Sequence, residues 1–255
     1  MLLLTTFAAV LAVGGAPQDP DFNWSRAMAV GKTIEIRGIN GTIVASGTSG
    51  REVRVSAVKH ARRSNPASVE IRVDENADGV IICAVYPNQR DSSGCNGRSR
   101  RNHDSDGDND VNVDFTVQVP AGVRFTGRNV NGNVEATDLA GPSVVTSVNG
   151  DVAVSTSSRA EASTVNGNVR AAVGRADWTG PAEFHTVNGD VTVVLPSSAS
   201  TEVTASTVNG DIATDFPLTV QGRFGPRRVS GTIGDGGRTL SLRTVNGGIS
   251  IERAN

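Results

Sequence analysis

Hydrophobic and polar residues alternate along most of the chain, and Asn-Gly pairs interrupt the alternation at recurring places. One unit reads Val148-Asn149-Gly150-Asp151-Val152, with alternating apolar positions on both sides of the pair. Asn-Gly between β-branched residues is a strong turn signal because glycine adopts positive φ freely and asparagine tolerates it. Each unit therefore predicts a strand, a tight turn and a second strand.

The predicted turns recur at a loose period of roughly 16–22 residues from Asn131 onward. They are Asn40-Gly41, Asn131-Gly132, Asn149-Gly150, Asn166-Gly167, Asn188-Gly189, Asn209-Gly210 and Asn246-Gly247. A degenerate copy, Val229-Ser230-Gly231-Thr232-Ile233, adds an eighth. One such unit cannot bury its own apolar face, whereas stacked units share one core.

Two all-β architectures fit the pattern. In a single-stranded β-solenoid, similar to a β-helix, each repeat is one rung and the Asn-Gly turns form a column at one corner. In an antiparallel hairpin meander or sandwich, each turn joins two neighbouring strands. The near-constant spacing favours the solenoid because hairpins do not require it, and an aromatic content of 4% suits a thin stacked core.

The pattern divides the chain into four parts. These are a signal peptide over 1–16 (cut near 14–16), a linker over 17–23, an N-terminal β portion over 24–119 with a polar loop at 88–110, and repeats over 120–255 that continue it. The apolar run Leu2–Val13 with small residues after it indicates the signal peptide, and a buried first strand is the alternative. Alternation predicts strands at 33–37, 52–56, 69–73 and 111–119, and a nearly continuous apolar run predicts a strand at 80–86 that is covered on both faces.

Charge and cysteine usage narrow the location and the partners. A net charge of −2 predicts no nucleic-acid partner and no polybasic membrane patch. No segment after the leader is apolar enough to span a membrane. We therefore expect an exported protein of the periplasm or outer envelope surface, or a secreted one. In such an oxidising compartment, Cys83 and Cys95 predict a disulfide.

Two sets of aspartates are candidates for chemistry. Asp104, Asp106, Asp108 and Asp110 are weak candidates for a metal site, with an acidic surface loop as the alternative. Asp151, Asp190 and Asp211 follow turn glycines and would share a column in a solenoid, where clustered carboxylates suit carbohydrate cleavage. Asparagine, threonine or glycine replaces aspartate in the other repeats, which favours a turn-supporting role.

Hydroxyl residues stand two positions before the repeat asparagine in five repeats. They are Ser147, Thr164, Thr186, Thr207 and Thr244. A hydroxyl ladder on an outer face could bind a glycan or order water, and ordinary outward-facing threonine is the alternative. Ser56 and Lys59 match a Ser-x-x-Lys pattern in β sequence, where it has no catalytic meaning. His60, His103 and His185 have no triad or ligand spacing, so no catalytic residue, cofactor or metal is assigned.

The order of these parts resembles a bacterial adhesin-like family of domains of unknown function. The resemblance rests on Trp24, Ile34-Glu35-Ile36 leading into Gly38-Ile39-Asn40-Gly41, Val117-Gln118-Val119-Pro120-Ala121-Gly122, and the serial Val-Asn-Gly-Asp-Val turns. The Gly-Ile-Asn segment is similar to the head domain of autotransporter adhesins. The resemblance implies a β-helical fold and an envelope or secreted location, and it supplies no catalytic residues.

The sequence therefore predicts an exported, non-enzymatic binding or interaction module of the bacterial envelope. Its expected partner is an envelope or surface protein or a glycan, and no cofactor is expected. A carbohydrate-active β-helix enzyme is one alternative. A structural or sensory envelope component that self-associates through its exposed terminal rungs is another.

Overall fold

Twenty-one β-strands form two mixed sheets in the computed structural model, which describes residues 21–87, 95, 109–174, 180–218, 220–221 and 227–254. In spatial order the first sheet contains β1 (Phe22–Ala27), β4 (Glu52–His60), β7 (Asn112–Pro120), β3 (Ile43–Thr48), β9 (Val134–Leu139), β11 (Val152–Thr156), β13 (Val169–Val173), β15 (Val191–Leu195), β21 (Ile249–Arg253) and β17 (Ile212–Thr214). The second contains β18 (Val220–Gln221), β19 (Arg227–Ile233), β16 (Thr201–Thr207), β20 (Thr239–Arg243), β14 (Ala182–His185), β12 (Ala160–Ser163), β10 (Ser143–Thr146), β8 (Arg124–Arg128), β2 (Thr33–Arg37), β6 (Gly79–Val85) and β5 (Glu70–Asn76). A 3-10 turn, Pro66–Ser68, lies between β4 and β5.

One apolar core lies between the inner faces of the two sheets. Alternate residues of each strand point into it, as Ile34 and Ile36 of β2 do, because successive side chains of a strand leave on opposite faces. Strand β6 is buried over both faces from Val80 to Val85, which its continuous apolar sequence predicted. Trp24 is partly buried against the core at the start of the fold.

Each repeat unit crosses from the second sheet to the first. The turn at Asn149-Gly150, for example, leaves β10 in the second sheet and enters β11 in the first. Equivalent strands of neighbouring units pair in parallel and in register, as β10 with β12 and β11 with β13. The hairpin alternative is wrong for these turns, because a hairpin would keep both flanking strands in one sheet.

The spatial order of the units differs from their order in the sequence. The turn asparagines form a column in the order Asn40, Asn131, Asn149, Asn166, Asn188, Asn246, Asn209. The last unit of the chain therefore lies between two earlier ones, with β20 between β14 and β16, and β21 between β15 and β17. The final unit can take this place because similar units offer similar pairing faces.

Antiparallel strands complete both sheets at one end and the second sheet at the other, where the first sheet ends in the parallel strand β17, and these ends depart from a simple rung-by-rung fold. At one end β1 and β4 pair antiparallel with each other and β4 with β7, and β5 pairs with β6. At the other end β19 pairs antiparallel with β16 and β18. The degenerate copy Val229–Ile233 lies inside β19, so the predicted eighth turn is wrong: it has serine in place of asparagine and stays extended.

The boundaries of the N-terminal parts differ partly from expectation. Strand β1 begins at Phe22, inside the segment predicted as a linker. The predicted signal peptide lies outside the described residues, and so does most of the polar loop at 88–110.

Candidate functional site

The turn asparagines form a hydrogen-bonded ladder along one corner of the fold. Each side-chain amide donates to the amide oxygen of the preceding asparagine in the column, at 2.7–2.9 Å over six bonds from Asn40 to Asn209. Six turn glycines have φ between 111° and 153°. Asparagine is therefore required for the ladder and glycine for the turn conformation.

The hydroxyls two positions before each asparagine are buried, which corrects both interpretations made from the sequence. Thr164 donates to the carbonyl oxygen of Gly150 at 2.8 Å, and Thr186 to that of Gly167 at 2.9 Å. Ser147, Thr207 and Thr244 make the equivalent bond to the turn glycine of the adjacent unit. These side chains stabilise the corner and are not available to a glycan or to ordered water on an outer face.

The residues after the turn glycines form a second ladder, which links side chains to the backbone. The Asp151 carboxylate accepts from the N–H of Asn168 at 2.7 Å, and the Asn168 side chain accepts from the N–H of Asp190 at 3.0 Å. Either residue type provides the acceptor, which explains their interchange in the sequence. Asn168 separates Asp151 from Asp190, and Gly248 separates Asp190 from Asp211, so no two of these carboxylates lie on neighbouring units.

This spacing bears on the carbohydrate-cleavage hypothesis. Two strand spacings place alternate units about 9.6 Å apart, which is too far for a retaining glycosidase (~5–5.5 Å between carboxyl groups) and lies at the upper limit for an inverting one (~6.5–9.5 Å). The carboxylates of Asp151 and Asp190 are also each engaged by a backbone N–H. The geometry therefore favours the turn-supporting role for this column.

A row of exposed valines runs beside the asparagine ladder, and we call it the valine ridge. Its members are Val130, Val148, Val165, Val187, Val208 and Val245. Each is 38–44% exposed, while the valine or isoleucine after the turn is buried. The six side chains expose roughly 300–400 Å² together, which is comparable with the largest apolar patch of an ordinary monomer.

Tyr86 lies beside Asn40, at the end of the asparagine ladder where the column begins. Its hydroxyl donates to the carbonyl oxygen of Val111 at 2.7 Å. Burial raises the pKa of Tyr86, and hydrogen bonds from Asn40 act in the opposite direction. The hydroxyl therefore closes the first unit, where no preceding asparagine exists.

The structure joins Cys83 and Cys95 in a disulfide, with the two Cα atoms 5.6 Å apart. Of the predicted acidic candidates, Asp104, Asp106 and Asp108 lie outside the described residues. Asp110 accepts hydrogen bonds from the backbone N–H groups of Ser64, Arg63 and Arg62. These bonds, those of Ser64 foremost, lower its pKa from 3.8 to about 2, so this aspartate anchors a loop.

Other motifs from the sequence do not assemble into a site. Ser56 and Lys59 lie three positions apart on β4 and therefore point to opposite faces, and Lys59 Nζ donates to the carbonyl oxygen of Val69. His60 Nδ1 is 3.5 Å from Asp114 Oδ2, and His185 lies on β14, while His103 is not described. Within the described ranges no three His, Cys, Asp or Glu side chains form a metal-binding group.

In the part of the chain that the structure describes, no helix is long and apolar enough to cross a bilayer.

Three solved structures illustrate the similarity to known proteins. A "putative cell adhesion protein" of Clostridium sporogenes is 12% identical and has a TM-score of 0.48, covering 92% of this chain and 100% of its own. A "putative adhesin" of Bacteroides fragilis is 13% identical with a TM-score of 0.31 (91% and 96%), and a "putative lipid binding protein" of Parabacteroides distasonis is 10% identical with a TM-score of 0.20 (92% and 98%). These values are too low to transfer a function. No curated protein matches the chain.

The Toastrack DUF4097 family model matches residues 105–252, which is more than half of the chain and includes the dense Asn-Gly repeats. The resemblance drawn from the motifs is thereby confirmed at the level of the family. The chain belongs to the Toastrack DUF4097 family, a bacterial domain family of unknown function.

Proposed function

We propose that this protein is an exported, non-enzymatic binding module of the bacterial envelope, built on a capped β-solenoid. The proposal rests on one observation: the polar repeat residues form hydrogen bonds that hold the fold together. The hydroxyls are buried against glycine carbonyls, and the carboxylates of Asp151 and Asp190 hold backbone N–H groups. The repeats therefore supply a rigid, regular surface rather than a reactive site.

The solenoid interpretation is supported by the parallel, in-register pairing of successive units in both sheets. The antiparallel strands at the two ends serve as caps in this interpretation. These caps and the short length of the uncapped edge strand β17, three residues, discourage edge-to-edge pairing, which suits a module that binds a partner better than one that polymerises through its ends.

Export is supported by the Cys83–Cys95 disulfide, because such bonds persist in oxidising compartments. A protein purified from an oxidising compartment is expected to show no free thiol until a reductant is added. Full thiol reactivity of the native, unreduced protein would contradict an exported state.

The proposed binding activity is tested by incubating the purified protein with an array of envelope and surface glycans and with isolated cell envelopes. Retention without cleavage is the expected result. Release of shortened glycan that stops in Asp190→Asn would instead establish the carbohydrate-active enzyme. The absence of retention on every surface would contradict the binding module and favour the structural or sensory alternative.

A further inference from the structure

A surface groove of about 490 Å³ lies where the last unit of the chain is inserted between two earlier ones. One wall consists of Val187, Val245 and Val208 from the valine ridge. The other wall includes His185, Arg243 and Ser206, which lie on the adjacent strands β14, β20 and β16. These residues come together only because β20 takes the place between β14 and β16.

The polar wall extends to strand β19, because side chains directly opposite one another on neighbouring strands form a row. Ser206 of β16 lies beside Arg243 on one side and beside Arg228 of β19 on the other. The two arginines are therefore about 10 Å apart, two strand spacings, on the same outer face. Both are exposed, and neither forms an ion pair or a side-chain hydrogen bond within the residues described.

Uncompensated arginines beside hydroxyls favour an anionic ligand, because the guanidinium group binds carboxylates with paired hydrogen bonds. The overall charge of −2 does not attract a polyanion, so binding would depend on these two side chains. The groove also contains an acid, Glu183, and a further hydroxyl, Ser241. Because the Glu183 carboxylate only accepts hydrogen bonds, a suitable ligand must carry hydrogen-bond donors close to the ligand's own anionic group.

Other occupants fit the groove less well. The strands that form it are paired on both sides, so a peptide has no free edge to extend. A second copy packed ridge to ridge would bury no more than about half of the ~800 Å² per partner that a stable interface needs. A uronate-containing glycan presents carboxylates with hydroxyls beside them, and its ring faces can rest on the valines.

We infer that this groove binds a carboxylate-bearing polysaccharide, with Arg243 and Arg228 contacting carboxylates and Glu183 accepting from neighbouring hydroxyls. The inference rests on the proposed binding function and names its ligand class. It assigns the site to the junction created by the inserted unit, not to the whole repeat surface.

The test measures binding of the full chain to polygalacturonate, to neutral dextran and to poly-glutamate at fixed ionic strength. Polygalacturonate alone should be retained. Arg243→Gln should raise its Kd about tenfold, as expected for loss of a hydrogen bond to a charged group. The matched control is Arg170→Gln, an exposed arginine on the outer face of the other sheet, which should change Kd by less than about twofold.

Three results would overturn the inference. They are equal retention of dextran, equal or tighter retention of poly-glutamate, and an equal loss of affinity in Arg170→Gln. Retention of a different glycan without any effect of Arg243→Gln would refute this site but leave the binding function intact. Failure to retain any glycan or envelope fraction would refute both.

Discussion

At the scale of single residues, the repeat assigns a different contact to each position. Threonine is buried and bonds a glycine carbonyl, valine is exposed, asparagine bonds its neighbour, and aspartate or asparagine accepts from the next backbone N–H. Hydrogen bonds at buried positions are costly to remove, because the remaining partner stays desolvated.

Thr164→Val should therefore lower the free energy of unfolding by about 1–3 kcal/mol, since the buried hydroxyl is lost and the partly buried carbonyl of Gly150 loses its donor at nearly constant volume. The control is Thr192→Val on the outer face of β15, which should stay within about 0.5 kcal/mol of the parent. Urea unfolding followed by circular dichroism measures both. Equal losses of stability in the two variants would show that the buried hydrogen bond contributes no more to stability than an exposed threonine does.

Gly167→Ala should be more damaging, because φ at this position is 153° and an added Cβ would overlap the carbonyl oxygen of Gly150. We expect a loss of more than about 2 kcal/mol. Gly174→Ala is the matched control, since the nearest atoms would lie 3.8 Å from its added Cβ. A normal melting temperature for Gly167→Ala would contradict the structure of the corner.

The sequence predicted the turns at this scale but not the direction of the hydroxyls. Ala160 and Ala162 of β12 point inward, and continuing their two-residue period places Thr164 inward as well. The polarity of threonine suggested the opposite face. The interpretation failed because a short hydroxyl side chain can be buried when a carbonyl lies within reach.

At the scale of elements, the alternation in the sequence predicted the strand boundaries, but it did not predict the contacts between loops. Predicted strands at 33–37 and 111–119 correspond to β2 and β7. Asp110, by contrast, belonged to an acidic run with no apparent partner, yet it accepts from the backbone of residues 62–64 and joins the end of β4 to the start of β7. Such a contact across more than forty residues leaves no local signature in sequence.

Asp110 should make stability depend on pH in acid. Because its folded pKa of about 2 lies below the ordinary value of 3.8, its contribution is present above pH 3.8 and is lost as the pH falls towards 2. Asp110→Asn should lower the urea midpoint at pH 5 but not below pH 2. Asp235→Asn controls for the loss of one charge, and a pH-independent effect of Asp110→Asn would refute the assignment.

At the scale of the whole molecule, the all-β class and the corner column were predictable, whereas the order of the units was not. Units with the same turn and the same alternation offer equivalent faces, so sequence gives no reason to place Asn246 between Asn188 and Asn209. The groove residues His185, Arg243 and Ser206 escaped prediction for the same reason, because they are neighbours only in this order.

Leu242, fully buried in the inserted unit, should affect the strands on both of its sides. We expect Leu242→Ala to cost about 2–5 kcal/mol and to lower amide exchange protection in β14 and β16 together. Ile212→Ala in β17, at the sheet edge, should reduce protection mainly in its own unit. Undiminished protection of β16 in Leu242→Ala would show that the units are less coupled than the strand order implies.

The inserted unit also constrains when the protein can fold. Strands β16 and β17 are synthesised before β20 and β21, yet they pair in parallel with them and not with the strands of the Asn188 unit. Strands β16 and β17 must therefore wait for residues 239–253 to be synthesised before these pairs can form. Until then β19 can cover one edge of β16, but the edges of β16 and β17 that face β20 and β21 are unpaired, so this interval is when the nascent protein most needs a chaperone or a holding factor.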